Sequence, residues 1–360
     1  MARKILTINP GSTSTKIALF EEENQVMSVK LSHTVEDLKP FEKIYDQTEY
    51  RRKMIMEVLE EKGVNPSEIT AISARGGNMQ PVVGGTYMVN EQMLEDLKVG
   101  VMGQHASNLG GIIANAIAKP LGISAYVVDP VIVDEMAPIA KISGTPDIAR
   151  KAKDHPLNQK AVSRKIAEQM GGKYEDYNFI VAHTGGGISI GVHEKGKIID
   201  TNNCLDGDGP MSPERSGGVP FFSLVEICYS GKYTKEELRK RLVGGGGLAA
   251  YLGTNDAIEV TKMIEGGDEH AKLVFEAMAY QVAKEIGAGA AVLKGKVDRI
   301  IITGGLAYSK MLMDWITERV EFIAPVELYP GELEMDALAL GVLRVLDGNE
   351  PLQQYPNPKK

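Results

Sequence analysis

Residues suited to holding a phosphate group stand near the start of the chain. Asn9-Pro10-Gly11-Ser12-Thr13-Ser14-Thr15-Lys16 gathers a glycine, four hydroxyls and a lysine. Gly11 lets backbone come close to a ligand. N–H groups, short hydroxyls and one cation together suit an oxyanion. The same composition also suits an ordinary Ser/Thr-rich hairpin turn. A second turn, His183-Thr184-Gly185-Gly186-Gly187, sets a histidine beside three glycines. Arg75 precedes Gly76-Gly77, either projecting into a cleft or ending a strand at the surface. His105 stands after Gly103 and before a small-residue helix, where anions are favoured; a lone histidine is more commonly structural. Asp129 closes an apolar run, at the strand end where open α/β sheets bind ligands. Asp134 and Glu135 follow closely, and spacing does not choose among the three acids. Arg215 is the one cation in the turn-rich run 206–218. A run of that length without structure is functional or mobile.

The elements that must position these groups follow from apolar periodicity. Residues 5–8 and 17–20 read as strands flanking the first turn, and 25–31 as a third. A stripe of Met54, Ile55, Val58 and Leu59 predicts a helix over 51–61. Strands are predicted at 69–74 and 125–128, and helices at 91–98 (capped by Asn90), 110–118 and 158–170. Phe179 to Val192 repeats the opening pattern of strand, small-residue turn and strand, with 198–200 behind it. Asn9-Pro10-Gly11 lies over His183-Thr184-Gly185, which implies two homologous α/β domains. Thr234 and Glu237 form a capping box, and Thr254-Asn255-Asp256 opens the next helix. Val274, Met278, Val282 and Ile286 mark a long helix. Residues 299–306 form a strand running into Gly304-Gly305, followed by a strand at 326–329 and a last helix at 337–346. Residues 244–247 read as a glycine hinge or a close approach, 143–147 as a linker, and 353–360 as a frayed tail.

The chain has 360 residues, 43% hydrophobic and 24% charged, with a net charge of −8. That is room for a large core and two domains. The acidic balance argues against a nucleic-acid or anionic-membrane surface. Cys204 and Cys228 supply no disulfide framework or metal spacing, and are expected to be buried or half-buried thiols in a reducing compartment. With no leader-like segment or long apolar run, the expected location is cytoplasmic.

Taken together, the 9–16 turn, Ala182-His183-Thr184-Gly185-Gly186-Gly187 and Thr303-Gly304-Gly305 resemble the acetate kinase family. That family lies within the sugar kinase, actin and heat-shock ATPase superfamily. The resemblance runs end to end. It implies an α/β fold of two duplicated ribonuclease-H-like (actin-like ATPase) domains around a central cleft. The expected domains are 1–148 plus 336–360 on the acid-binding side, and 149–335 on the nucleotide-binding side. His105-Ala106-Ser107-Asn108-Leu109-Gly110, Asp206-Gly207-Asp208-Gly209-Pro210 and Pro213-Glu214-Arg215-Ser216-Gly217 look most like members that act on butyrate.

The resemblance assigns catalytic roles to Arg75, His105, Asp129, His183 and Arg215. Substrate and phosphate contacts fall to Asn9, Gly11, Ser12, Thr13, Ser14, Lys16, Gly185, Gly186 and Gly187. Asp256, Gly304 and Gly305 fall where the family meets the nucleotide. Asp129 and Glu334 would serve Mg²⁺, with Glu332 the second choice. One departure stands out: Ile72 occupies the place of the family's arginine, and Arg75 that of a histidine. Ala74 and Ala182 fall where larger side chains line the methyl pocket, leaving room for two more carbons. The implied reaction is reversible phosphoryl transfer between ATP and a short carboxylic acid, giving an acyl phosphate and ADP. Butyrate is the expected acid, and isobutyrate, propionate or acetate the alternatives. The implied partners are these small molecules and a second copy of the chain, as a homodimer or higher homo-oligomer. A non-kinase actin-like ATPase would need further subdomains. A sugar kinase would need a general base for a hydroxyl.

Overall fold

The computed structural model describes residues 2–205 and 207–356. Asp206 of the turn-rich run and residues 357–360 of the expected tail lie outside the described residues. The chain divides into two compact units, Met1–Asp134 with Leu333–Lys360, and Glu135–Glu332. The first boundary therefore falls before the expected 148/149. Residues after 134 bond within unit 2: Ala137 N–H donates to Ile199 O at 2.8 Å, and Glu135 pairs with the Lys160 ammonium at 2.8 Å. The 143–147 stretch is accordingly no linker. Ser143 folds it back on itself, its Oγ donating to Thr145 O at 2.9 Å.

Unit 1 carries β1 (Lys4–Pro10), β2 (Ser14–Glu21), β3 (Asn24–Ser32), β4 (Ala71–Arg75), β5 (Thr86–Met88) and β6 (Ser124–Val128). They form one sheet in the order β3-β2-β1-β4-β6-β5. β1, β4 and β6 run parallel, while β2, β3 and β5 pair antiparallel to their neighbours. Unit 2 carries β7 (Asn178–Thr184), β8 (Ile188–Glu194), β9 (Lys197–Thr201), β10 (Arg299–Gly304) and β11 (Val326–Pro330), in the order β11-β10-β7-β8-β9. Counted from β1 and from β7, both sheets share one order, third-second-first-fourth-fifth, with β5 an added edge in unit 1.

The duplication reaches single residues. Asn9 pairs with Lys16 across the first hairpin, and His183 with Ser189 across the second. Three residues beyond Lys16 the β2–β3 register slips between Leu19 and Phe20; three beyond Ser189 the β8–β9 register slips between Val192 and His193. A bulge recurring at the same place is a built feature of a strand pair.

Leu6, Ile8, Ile72 and Ala74 pack with Leu109 and Ile113 of the Leu109–Leu121 helix, and with Ile55 and Leu59 of the Thr48–Glu61 helix. In unit 2, Ile180, Ala182, Ile300 and Ile302 pack against Val282 and Ile286 of the Glu269–Val292 helix. Alternation along β7 puts His183 on the opposite face from Ala182. Ala74 and Ala182 are thus fully buried core residues, which corrects their expected place in a substrate pocket. The expected fraying of the tail fails at 353–356. Gln353 N–H donates to Thr86 O at 2.9 Å, and Tyr355 is buried with its hydroxyl on Asp96 at 2.5 Å. Among the described residues no helix is long and apolar enough to cross a membrane.

Candidate active site

Unit 1 gathers its candidates at the C-terminal ends of β1, β4 and β6, the ligand-binding edge of such sheets. Asn9 lies at the end of β1, Arg75 ends β4, and Asp129 follows β6. Glu334, the first residue of the Glu334–Leu346 helix, joins two of them. Its Oε2 accepts from Asn9 Nδ2 at 2.5 Å, and its Oε1 sits 3.2 Å from Arg75 Nη1. Glu332 belongs to unit 2, 3.8 Å from His183 Nε2. Asp129 is buried at a φ of 36°, a strained backbone for a residue with a side chain and one that functional sites often hold. Its Oδ1 accepts the Gly85 N–H at 2.7 Å.

His105 is exposed and caps the turn at Ala106–Asn108. Its Nδ1 accepts the Ser107 N–H at 3.2 Å. A backbone N–H can only donate, so Nδ1 is bare and Nε2 carries the ring proton. Desolvation of its packed side first, and the Arg75 guanidinium second, lower its pKa from the ordinary histidine value. The ring is therefore a neutral N–H donor at pH 7. Asn108 works inside the fold: its Oδ1 accepts the Asn78 N–H at 2.8 Å. A Cβ at Gly77 would overlap Asn108, and one at Gly110 would overlap the Arg75 carbonyl. These glycines bring the helix start onto the end of β4.

At the first turn, the Gly11 N–H donates to Ser14 O at 2.8 Å, while Ser12, Thr13 and Lys16 are exposed. Beneath it lies Arg51, fully buried, which sequence reasoning took only as the start of a helix. Its Nη1 donates to Gly11 O at 2.8 Å, Ser14 O at 3.2 Å and Thr15 Oγ1 at 3.0 Å, and its Nη2 to Ser12 O at 3.0 Å. A signal was present: Arg51 shares the i, i+4, i+8 stripe of Ile55 and Leu59, the face that the helix buries.

In unit 2, His183 is buried at the end of β7, its Nδ1 2.9 Å from Asn158 Nδ2. The amide nitrogen donates, so this histidine too presents its proton at Nε2. Asn158, another residue the sequence left unmarked, also donates to Thr303 Oγ1 at 3.3 Å. The His155 ring stacks on His183 with centroids 3.9 Å apart. Ser212 Oγ donates to Gly186 O at 2.6 Å. A Cβ at Gly187 would overlap the Arg215 guanidinium, whose Nη1 donates to Cys204 O at 2.5 Å. His183, Gly185–Gly187 and Arg215 are thus brought together. A cavity of about 950 Å³ opens beside Arg215, lined also by Leu205, Phe221, Leu238 and Val243.

Gly304 takes a φ of 94°, and a Cβ there would overlap the Thr184 carbonyl. The 244–247 run is a close approach and not a hinge, since a Cβ at Gly247 would overlap Ser212 O. Asp256 is exposed and caps the Ala257–Glu265 helix, its Oδ1 accepting the Ile258 N–H at 2.8 Å. Burial pushes the Cys204 thiol up to about 12, and Cys228 is exposed, against the expectation that both would be at least half-buried. The described residues hold no group of three or more His, Cys, Asp or Glu placed to bind a metal. Asp129 and Glu334 each bring a carboxylate to unit 1's candidate edge, and oxygen donors are the ligand type that suits Mg²⁺ with most of its waters kept.

Residues 146–324 match the acetokinase family, and a relative at 56% identity extends the match over nearly the whole chain; this chain belongs to the acetokinase family. That relative is Butyrate kinase 2 of Clostridium acetobutylicum, aligned over 355 residues, 99% of this chain and 100% of that one. Among solved structures, the acetate kinase of Porphyromonas gingivalis superposes with a TM-score of 0.78 at 20% identity, covering 96% of this chain and 100% of that one. A propionate kinase from Francisella tularensis gives 0.75 at 20% identity, covering 94% and 98%. The fold is the two-domain actin-like ATPase fold of these kinases.

Proposed function

We propose that this protein is a butyrate kinase, passing the γ-phosphoryl group of ATP reversibly to the butyrate carboxylate to give butyryl phosphate and ADP. The observation that carries the reading is the 56% identity, over 99% of the chain, to Butyrate kinase 2. The carboxylate is already ionised at pH 7, so no general base is needed. What opposes the reaction is repulsion between two anions, which the site must offset with positive charge and in-line positioning. Arg75 and Arg215 would neutralise the carboxylate and the equatorial phosphoryl oxygens. His105 and His183, each held with its proton on Nε2, would donate to the group in transfer. Asn9, the Gly11–Ser14 turn, Lys16 and Gly185–Gly187 would orient phosphate, and Asp256, Gly304 and Gly305 would serve the nucleotide. Asp129 and Glu334 would hold Mg²⁺ through water, where the ion supplies charge neutralisation to the phosphates. Unit 1 would take the acid and unit 2 the nucleotide. The exposed apolar side chains of the Phe221–Tyr229 helix, Phe221 and Tyr229 among them, support a homo-oligomer, which sedimentation velocity measures. Two unpaired cysteines suit the cytoplasm.

Hydroxylamine trapping of the acyl phosphate tests the reading, with ATP, Mg²⁺ and acids from acetate to valerate. Butyrate should give the highest kcat/KM, with neighbouring acids lower by about tenfold per methylene. A preference for acetate would remove the butyrate assignment, and no hydroxamate with any acid would remove the kinase. Turnover of His183→Ala or Arg215→Ala within about tenfold of the parent would remove those two roles.

A further inference from the structure

Arg51 is an arginine with no exposed surface, its guanidinium spent on backbone oxygens, Thr15 and Gln47. Burying a charge is costly unless strong hydrogen bonds compensate. Here the compensation comes from one turn, three of whose four carbonyls, Gly11, Ser12 and Ser14, point at the guanidinium. The fourth, Thr13, accepts the His33 N–H at 2.8 Å. Every carbonyl of the turn is therefore held by a protein donor.

The planar trans peptide then fixes the amides. The C=O of one residue and the N–H of the next point in opposite directions across each peptide plane. With the Gly11 and Ser12 carbonyls drawn onto Arg51, the N–H groups of Ser12 and Thr13 point away from it, on two exposed residues. Two successive outward N–H groups form a concavity that binds anions, and a buried cation lies behind them. We propose that Arg51 is the positioning residue that makes the Gly11–Ser14 turn a receptor for a phosphate group. It does so from behind the backbone, without touching the ligand.

The inference rests on reading this turn as the phosphate side of the site. Two full-length variants test it, Arg51→Met, which frees the carbonyls, and Thr13→Pro, which deletes one outward N–H and keeps Arg51. Circular dichroism establishes that each is folded. Inorganic phosphate should raise the Tm of the parent and raise that of either variant much less. KM for ATP and for butyryl phosphate should rise about tenfold, the worth of one charge-assisted hydrogen bond, while KM for butyrate changes less than about twofold. A parent Tm indifferent to phosphate, or equal shifts in parent and variants, would overturn the proposal. So would a variant whose KM values for all substrates move together, the mark of a merely structural role. If Arg51→Met does not fold, Arg51→Lys decides in its place: it keeps the buried charge but not the two-nitrogen fork that holds the Gly11 and Ser12 carbonyls. The same loss of phosphate response is expected of it, and a parent-like response would overturn the proposal. If the parent lacks kinase activity but its phosphate response still depends on Arg51, the reading of the reaction fails and this inference stands.

Discussion

Four histidines in the chain are set by their surroundings in two different ways. His105 and His183 each have Nδ1 engaged by an N–H donor, one from Ser107 backbone and one from the Asn158 amide, and so present Nε2–H. His33 and His193 are buried and held neutral. Burial first and Arg51 second bring His33 down to about 4, and burial, Lys160 and Arg164 hold His193 well below the usual range. The unfolded chain binds protons at these sites below about pH 6.5 while the native chain does not, so stability falls as pH drops. The contribution is complete above about 6.5 and is lost progressively toward 4. Urea midpoints should therefore be lower at pH 5 than at pH 7, and His33→Gln should flatten part of that slope; identical pH profiles for parent and variant would contradict it. Residue types announced Arg75, His105, His183 and Arg215 because each stood beside glycines. Arg51 and Asn158 were silent because their work is done through side-chain contacts with residues far away in sequence. Only the break in the apolar stripe hinted at Arg51.

At the scale of elements, the two hairpins and three Gly-containing strand ends were legible, since apolar runs ended by glycine are strong local signals. What two adjacent glycines do was not. Gly304 has a φ of 94° and leans on the Thr184 carbonyl, whereas a Cβ at Gly305 would meet nothing within 4 Å. Gly304→Ala should cost at least about 2 kcal/mol from backbone strain and overlap. Gly305→Ala should stay within about 0.5 kcal/mol. Equal urea-denaturation losses at the two positions would refute this account of the β10 end. The choice between Glu332 and Glu334 was likewise beyond spacing. The Glu334–Leu346 helix starts three residues before the expected 337, which makes Glu334 part of its first turn, joined to Asn9 and Arg75.

For the whole molecule, duplication was readable from one echo of three residues, but the extent of each unit was not. It depends on where residues after 134 find partners. Unit 2 is continuous in sequence, with its own core of Ile180, Ile300, Val282 and their neighbours. Unit 1 is completed by a returning segment: Thr86 Oγ1 donates to Gly341 O at 3.0 Å, and a Cβ at Gly341 would overlap or crowd Val128. Residues 135–332 expressed alone should therefore melt cooperatively. Residues 1–134 alone should bind a hydrophobic dye and show no cooperative transition. A cooperative melt of 1–134 would show that the returning helix is dispensable.

That return also orders events during synthesis. The ribosome makes all of Glu135–Glu332 before Glu334 emerges, a wait on the order of ten to forty seconds at ordinary elongation speeds. Throughout it the strands of unit 1 lack the helix that covers them, a nascent state suited to chaperone capture. A transcript broken before codon 334 yields a chain with every residue of unit 2 but without the carboxylate that joins Asn9 to Arg75. Quality control that reads the folding of unit 2 alone would pass such a product as finished.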